Sequence, residues 1–155
     1  MMAPSAAQTE EGDFKVLSLK NYKDLDTTTF EQILEMDDDD DREFSRGLVY
    51  SFFKQAETTF VKMESALSEK DLSELSELGH FLKGSSATLG LTKVKDACEK
   101  IQNYGQQKDE SGINPEPDKN RSLANIKKAL VDVKHDYKEV VKVLKNFYGD
   151  SDAAE

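Results

Sequence analysis

One cysteine, three prolines, two histidines and no tryptophan occur among the 155 residues of this sequence. A lone Cys98 excludes an internal disulfide, and two histidines far apart in the chain offer no metal-ligand spacing, so neither a redox framework nor a zinc site is indicated. Positive charge is also scarce: 21 Lys and Arg stand against 31 Asp and Glu, a formal net charge of -10. Such a surface repels a nucleic-acid backbone at long range, which argues against nucleic-acid binding. No apolar run approaches the roughly 20 residues that a membrane span needs. Met1 to Asp13 has neither a basic start nor a hydrophobic signal core, and the expectation is a soluble, intracellular protein that does not engage membranes.

What remains favours helices. Leu, Val, Phe and Ala recur between Lys and Glu, and this mixture with so little proline suits helix over sheet. The length suits one domain enclosing one core. Residues 1–22 read as an N-terminal tail, disordered over Met1 to Asp13, whereas Phe14 to Tyr22 fits no clean period and is compatible with an extended segment laid on the domain. The domain itself is expected over 23–149, with a C-terminal tail at 150–155.

A first short helix is predicted to begin near Thr28, where Thr28 and Glu31 have capping-box spacing, and to carry Phe30, Ile33, Leu34 and Met36. The five carboxylates Asp37 to Asp41 sit badly at the negative end of that helix but suit the start of the next. The second helix is predicted from about Arg42 to Leu67, with Phe44, Leu48, Phe52, Ala56, Phe60, Met63 and Leu67 as one buried stripe. A third runs from about Asp71 to Leu89 and stops at Gly90. Thr92 caps a fourth that reaches about Gln106, with Val94, Ala97, Cys98, Ile101 and Tyr104 facing inward. Lys108 to Arg121, with Gly, Asn and both later prolines, reads as a long surface loop. Ser122 to Phe147 is the last helix. The predicted fold class is all-α: an antiparallel four-helix bundle with an additional short N-terminal helix.

The chemistry concentrates in the third helix, in Leu78-Gly79-His80-Phe81-Leu82-Lys83-Gly84-Ser85-Ser86-Ala87-Thr88-Leu89-Gly90. At roughly 100° per residue, Leu75, Leu78, Leu82, Ser86 and Leu89 share the core face. His80 then points away from the core, on a stripe with Ser76, Lys83, Gly84 and Ala87. An interior glycine costs about 1 kcal/mol of helix stability relative to alanine, so Gly84 beside an outward histidine asks for a reason, and close approach of another molecule is one. A histidine's ordinary pKa near 6.5 leaves much of it neutral at cellular pH, and a neutral imidazole nitrogen is a competent nucleophile for phosphorus. Lys83, one turn later, would set an ammonium near arriving phosphoryl oxygens.

Bland readings stand beside each of these. A lone surface histidine is often only solvated, a surface lysine often serves solubility, Gly84 could permit close helix packing, and Ser85 and Ser86 could bond carbonyls one turn back. His135, between Lys134 and Asp136 with no small-residue stripe around it, is read as structural. Cys98 is read as a small core hydrophobe.

The stretch His80 to Ser86 followed by Ala87-Thr88-Leu89-Gly90 closely resembles the signature of histidine-containing phosphotransfer (HPt) proteins. Cys98-Glu99-Lys100-Ile101-Gln102-Asn103, and Met36 with its acidic run before Phe44, are similar to the fungal phosphorelay members, and the resemblance covers about Asp24 to Gly149. It implies that His80 is the phosphoacceptor, that Lys83 positions or stabilises the phosphoryl group, that Gly84 gives access and that Gln102 lies near the active histidine. It further implies partners: the receiver domain of a hybrid histidine kinase upstream and receiver domains of response regulators downstream, docked on Ile33, Met36, Leu48 and Leu78 with Asp37 at the rim. Core packing is the competing role for these docking residues, and the two weigh evenly for Leu48 and Leu78. Two departures stand out: the loop after the fourth helix differs, and Gln106 replaces a residue that is basic in some members.

The implied activity is that of a monomeric phosphoryl carrier in cytoplasm and nucleus, taking phosphate from a receiver aspartate onto His80 and passing it to another. No cofactor of its own is expected, since no glycine-rich nucleotide loop is present and any magnesium should sit on the receiver. The alternative is a helical adaptor that binds partners without carrying phosphate. A hydrolase using Lys83 or Ser85 as nucleophile lacks a base and an orienting acid nearby.

Overall fold

The computed structural model of the protein describes Leu19, Tyr22, residues 24–38 and residues 41–150. Among these residues five helices follow one another: α1 Thr27–Leu34, α2 Glu43–Ser68, α3 Leu72–Leu89, α4 Thr92–Gly105 and α5 Lys119–Phe147. Helices α2 to α5 pack each on the next and α5 closes back on α2, giving the expected four-helix bundle, while α1 lies against α2 and α3. The predicted N-terminal tail, apart from Leu19 and Tyr22, lies outside the described residues. Of the predicted C-terminal tail only Asp150 is described, and it is tied to α2 by Arg46 and by the Tyr50 hydroxyl.

Helix α1 begins earlier than its predicted cap. Asp26, not Thr28, sits in extended backbone ahead of the helix and accepts from the backbone N–H (3.3 Å) and hydroxyl (2.9 Å) of Thr29. Those bonds hold the exposed Asp26 carboxyl below its ordinary range. The start of α1 is also stitched to the turn between α3 and α4: the Asp26 N–H donates to the Gly90 carbonyl at 2.7 Å, and the Thr92 N–H to the Asp24 carbonyl at 3.2 Å. Gly90 must be glycine here. Its φ is +79°, and a Cβ would lie 2.6 Å from the Asp26 carbonyl oxygen.

The acidic run does serve the start of α2, through one residue in particular. Asp37 accepts from both the backbone N–H (2.8 Å) and the hydroxyl (2.7 Å) of Ser45, in the first turn of α2. The predicted α2 stripe needs a correction at this end. Phe52, Ala56, Phe60 and Met63 are buried, but Phe44 and Leu48 are exposed, and Ser45, Val49 and Phe53 take the inward positions instead. A serine is tolerated in the core because Asp37 and the Tyr148 hydroxyl (2.7 Å) satisfy it. Apolar periodicity alone selected the wrong neighbouring stripe.

At the far end of the bundle, α5 starts at Lys119, three residues before the predicted Ser122, because Asp118 caps it by accepting from the N–H groups of Asn120 and Arg121. The connection from α4 is bonded together locally. Asp109 accepts from the Ser111 hydroxyl (2.6 Å) and the Asn114 amide (2.7 Å), which lowers its carboxyl pKa to about 2. Asn103 of α4 donates to the Glu110 carbonyl at 2.9 Å, so the loop folds back on α4.

Candidate functional site

Helix α3 runs between a carboxylate cap and the glycine stop that its sequence predicts. Asp71 accepts from the Glu74 N–H at 3.0 Å, and Gly90 terminates it in the left-handed conformation. Leu72, Leu75, Leu82, Ser86 and Leu89 are buried, with the Ser86 hydroxyl donating to the Leu82 carbonyl one turn back at 2.6 Å. His80, Phe81, Gly84 and Ala87 are exposed and Lys83 is half-exposed. The histidine therefore stands on the solvent side of α3 with its lysine one turn on.

Ser76 departs from the predicted outward stripe. It is buried, and its hydroxyl donates to the Gln102 carbonyl at 3.1 Å. The reason is the nearness of α4. A Cβ on Gly79 would lie 2.9 Å from both the Cys98 carbonyl oxygen and the Gln102 nitrogen, and one on Gly105 would lie 2.7 Å from the Leu72 carbonyl oxygen and the Ser76 nitrogen. Two glycines and one serine thus bring the α3 and α4 backbones nearly into contact. The Gln102 backbone is consequently packed against Gly79, the residue that precedes His80.

The same seam sets the surroundings of Lys83. Its Nζ pairs with the Glu99 carboxylate of α4 at 3.5 Å, with both side chains substantially exposed. Gly84 presents the opposite of a packing site: a Cβ there would meet nothing within 4 Å. Thr88 donates its hydroxyl to the Gly84 carbonyl one turn back at 3.1 Å.

The docking residues suggested by the sequence separate into three groups. Met36 and Leu48 are exposed. Leu78 is half-buried against the core, and Asp37 is half-buried in its bonds to Ser45. Ile33 is buried in α1 and is corrected to a core residue. Sequence reasoning missed Phe44 (47% exposed), which it assigned to the core, and Phe81 (50% exposed), to which it assigned nothing. Phe81 was detectable: it follows His80 directly and falls between the core positions Leu78 and Leu82, off their face.

The remaining titratable candidates are accounted for elsewhere. His135 is exposed on α5, between Lys134, which pairs with Glu64, and Asp136, which pairs with Lys93. Burial pushes the Cys98 thiol up to about 12, so it is held as the neutral thiol. Among the described residues no group of three or more His, Cys, Asp or Glu could hold a metal ion, and no helix is long and apolar enough to cross a membrane.

Comparison with known proteins agrees with this arrangement. The Hpt domain family model matches residues 47–140, a stretch that contains His80, Lys83, Gly84 and Gln102. The chain is 49% identical over 124 residues to Multistep phosphorelay regulator 1 of Schizosaccharomyces pombe, covering 80% of this chain and 42% of that protein. It is 51% identical over 84 residues to Phosphorelay intermediate protein YPD1 of Saccharomyces cerevisiae, covering 54% of this chain and 50% of that protein. The matches thus span about half the length of these curated relatives or less. Among solved structures, the histidine phosphotransfer signalling protein Ypd1 of Saccharomyces cerevisiae, crystallised with the receiver domain of its downstream response regulator Ssk1, superposes with a TM-score of 0.73 at 38% identity, covering 83% of this chain and 97% of that one. With a family model matching most of the bundle and the same helical architecture in a solved relative, this chain belongs to the Hpt domain family.

Proposed function

We propose that this chain is a phosphorelay intermediate that takes a phosphoryl group from a receiver-domain aspartate onto His80 and yields it to an aspartate of a downstream response regulator. The observation that carries the reading is the pairing of a solvent-exposed histidine with Gly84, beside which a Cβ would find open space. A second protein can bring its aspartyl phosphate to the ring along that side.

The exchange needs only positioning and charge. A lone pair on the unprotonated ring nitrogen of His80 attacks phosphorus, the bond from phosphorus to the donor aspartate breaks, and its electron pair leaves with the carboxylate. The other ring nitrogen keeps its proton. In the return half-reaction an acceptor carboxylate attacks phosphorus and the N–P bond breaks. Lys83 offsets charge on the phosphoryl oxygens, and the Gln102 amide orients the ring or the phosphoryl group. Magnesium belongs to the receiver, and the chain carries phosphate without an ATP site of its own.

Met36, Phe44, Leu48 and Phe81 are exposed apolar side chains available to the receiver, and the half-buried Leu78 and Asp37 are further candidates. An apolar centre with a polar rim is the usual composition of such interfaces. The chain acts as a monomer, in cytoplasm and nucleus.

The test is incubation with a receiver domain carrying labelled phosphate. Acid-labile label should move to this chain, vanish in His80→Gln and persist in His135→Gln, with the melting temperature of both variants nearly unchanged because both side chains are exposed. Label retained by His80→Gln defeats the assignment. A wild-type chain that binds the receiver but takes no label is an adaptor instead.

A further inference from the structure

The ion pair between Lys83 and Glu99 has a consequence for the chemistry of His80. Lys83 projects along the seam between α3 and α4, where Gly79 and Gly105 let the two backbones approach. Antiparallel packing places Ser76 and Gly79 opposite Gln102 and Cys98, and one turn further along α3 it sets Lys83 opposite Glu99. The ammonium that would attend the phosphoryl group is therefore already held by a carboxylate at 3.5 Å. That carboxylate is 49% exposed.

A phosphoryl group brings about two negative charges at neutral pH. It competes with Glu99 for the same ammonium. Resting on the phosphorelay reading above, we propose that Glu99 is a positioning residue that tempers the hold of Lys83 on the phosphoryl group and so keeps phospho-His80 ready to be discharged. A carrier must release what it accepts. A lysine with no competing carboxylate would favour the loaded form, whereas one shared with Glu99 leaves the exchange closer to balance in both directions.

The competition is of the right size for tuning and too weak for gating. Exposed ion pairs of this kind shift equilibria by roughly two- to fivefold. Glu99→Gln keeps the shape of the side chain and removes its charge. It should shift the equilibrium of label between receiver and His80 toward His80 by about that factor, and Glu99→Asp should restore most of the balance.

The deciding measurement is a double-mutant cycle in the full-length chain with the phosphorylated receiver as probe. In the Lys83→Ala background the Glu99→Gln shift should fall below about 1.5-fold, because the residue acts through the lysine. A shift that survives undiminished without Lys83, a shift toward the receiver, or no shift at all overturns the proposal while leaving His80 as the acceptor. A wild-type chain that takes no label overturns both readings together, so the two failures are told apart by one control. Melting curves on the same variants should coincide within about 4 °C, since an exposed ion pair contributes little to stability.

Discussion

Gly79 and Gly84 lie five positions apart on one helix, and they are glycines for opposite reasons. A Cβ on Gly79 would meet the backbone of α4 at 2.9 Å, whereas a Cβ on Gly84 would meet nothing. The first glycine is spent inside the protein, bringing the α4 backbone at Cys98 and Gln102 against the residue before His80. The second leaves room outside it, on the side where the proposed partner would come. One side of α3 builds the site and the other exposes it, and both require the side chain to be missing.

The clamped side should show the larger effect on stability. Gly79→Ala gains about 1 kcal/mol of helix propensity but forces a methyl group against the Cys98 carbonyl and the Gln102 nitrogen, neither of which can swing away. Overpacking of this kind typically costs 1–3 kcal/mol. The net expectation is a loss on the order of 1 kcal/mol, read as a fall of about 2–4 °C in melting temperature, with transfer reduced because α4 is displaced together with Gln102. An unchanged melting temperature would mean that the seam is looser than described and that the comparison with Gly84 fails.

The open side should respond with the signs reversed. Gly84→Gln should stabilise the helix by about 0.5 kcal/mol, since glutamine is the better helix former and no neighbour opposes it. Receiver-dependent transfer should fall by about tenfold or more, because the new side chain stands where the aspartyl phosphate must enter. Gly84→Ala should do less of both. A melting curve and a transfer rate on the same variant decide the matter. Raised stability with undiminished transfer refutes the access role, and lowered stability contradicts the empty surroundings of this position.

How far the sequence disclosed this contrast depends on what kind of signal each residue carries. The bundle was legible because Leu75, Leu82, Ser86 and Leu89 recur at helical spacing, and Asp71 and Gly90 punctuate α3. His80 was legible as outward because it misses that stripe. Gly79 attracted no notice, since a close approach between backbones leaves no apolar pattern, and for the same reason Ser76 was placed on the wrong face. Phe44 and Leu48 misled because a stripe stepping by three or four can be threaded through either of two adjacent faces. The choice between them turned on Asp37 and Tyr148 satisfying a buried Ser45, which are contacts across 8 and 103 residues of chain. Glu99 had no role of its own in the sequence pattern, and only the seam gives it a partner.

Lys83 joins the two sides, and it should show the smallest of these effects. It stands next to Gly84 in sequence, yet its ammonium reaches toward α4 and pairs with Glu99. Removing it costs little stability, because an exposed pair at 3.5 Å contributes at most about 1 kcal/mol and alanine is the better helix former. The chemical cost is bounded from both directions. A charge-assisted contact to a phosphoryl oxygen is worth about 1.5–3 kcal/mol when undisturbed, but this one is partly solvated and shared with a carboxylate. Lys83→Ala should therefore slow transfer or shorten the phosphohistidine lifetime by about tenfold or less, without abolishing acceptance. The measurement is the decay of labelled phosphate on His80 after the receiver is removed, set beside the transfer rate. Wild-type values for both would make Lys83 a solubility residue and leave Gly84 to define the open side alone, whereas complete loss of acceptance would mean that the ammonium is indispensable and that Glu99 cannot be drawing it away.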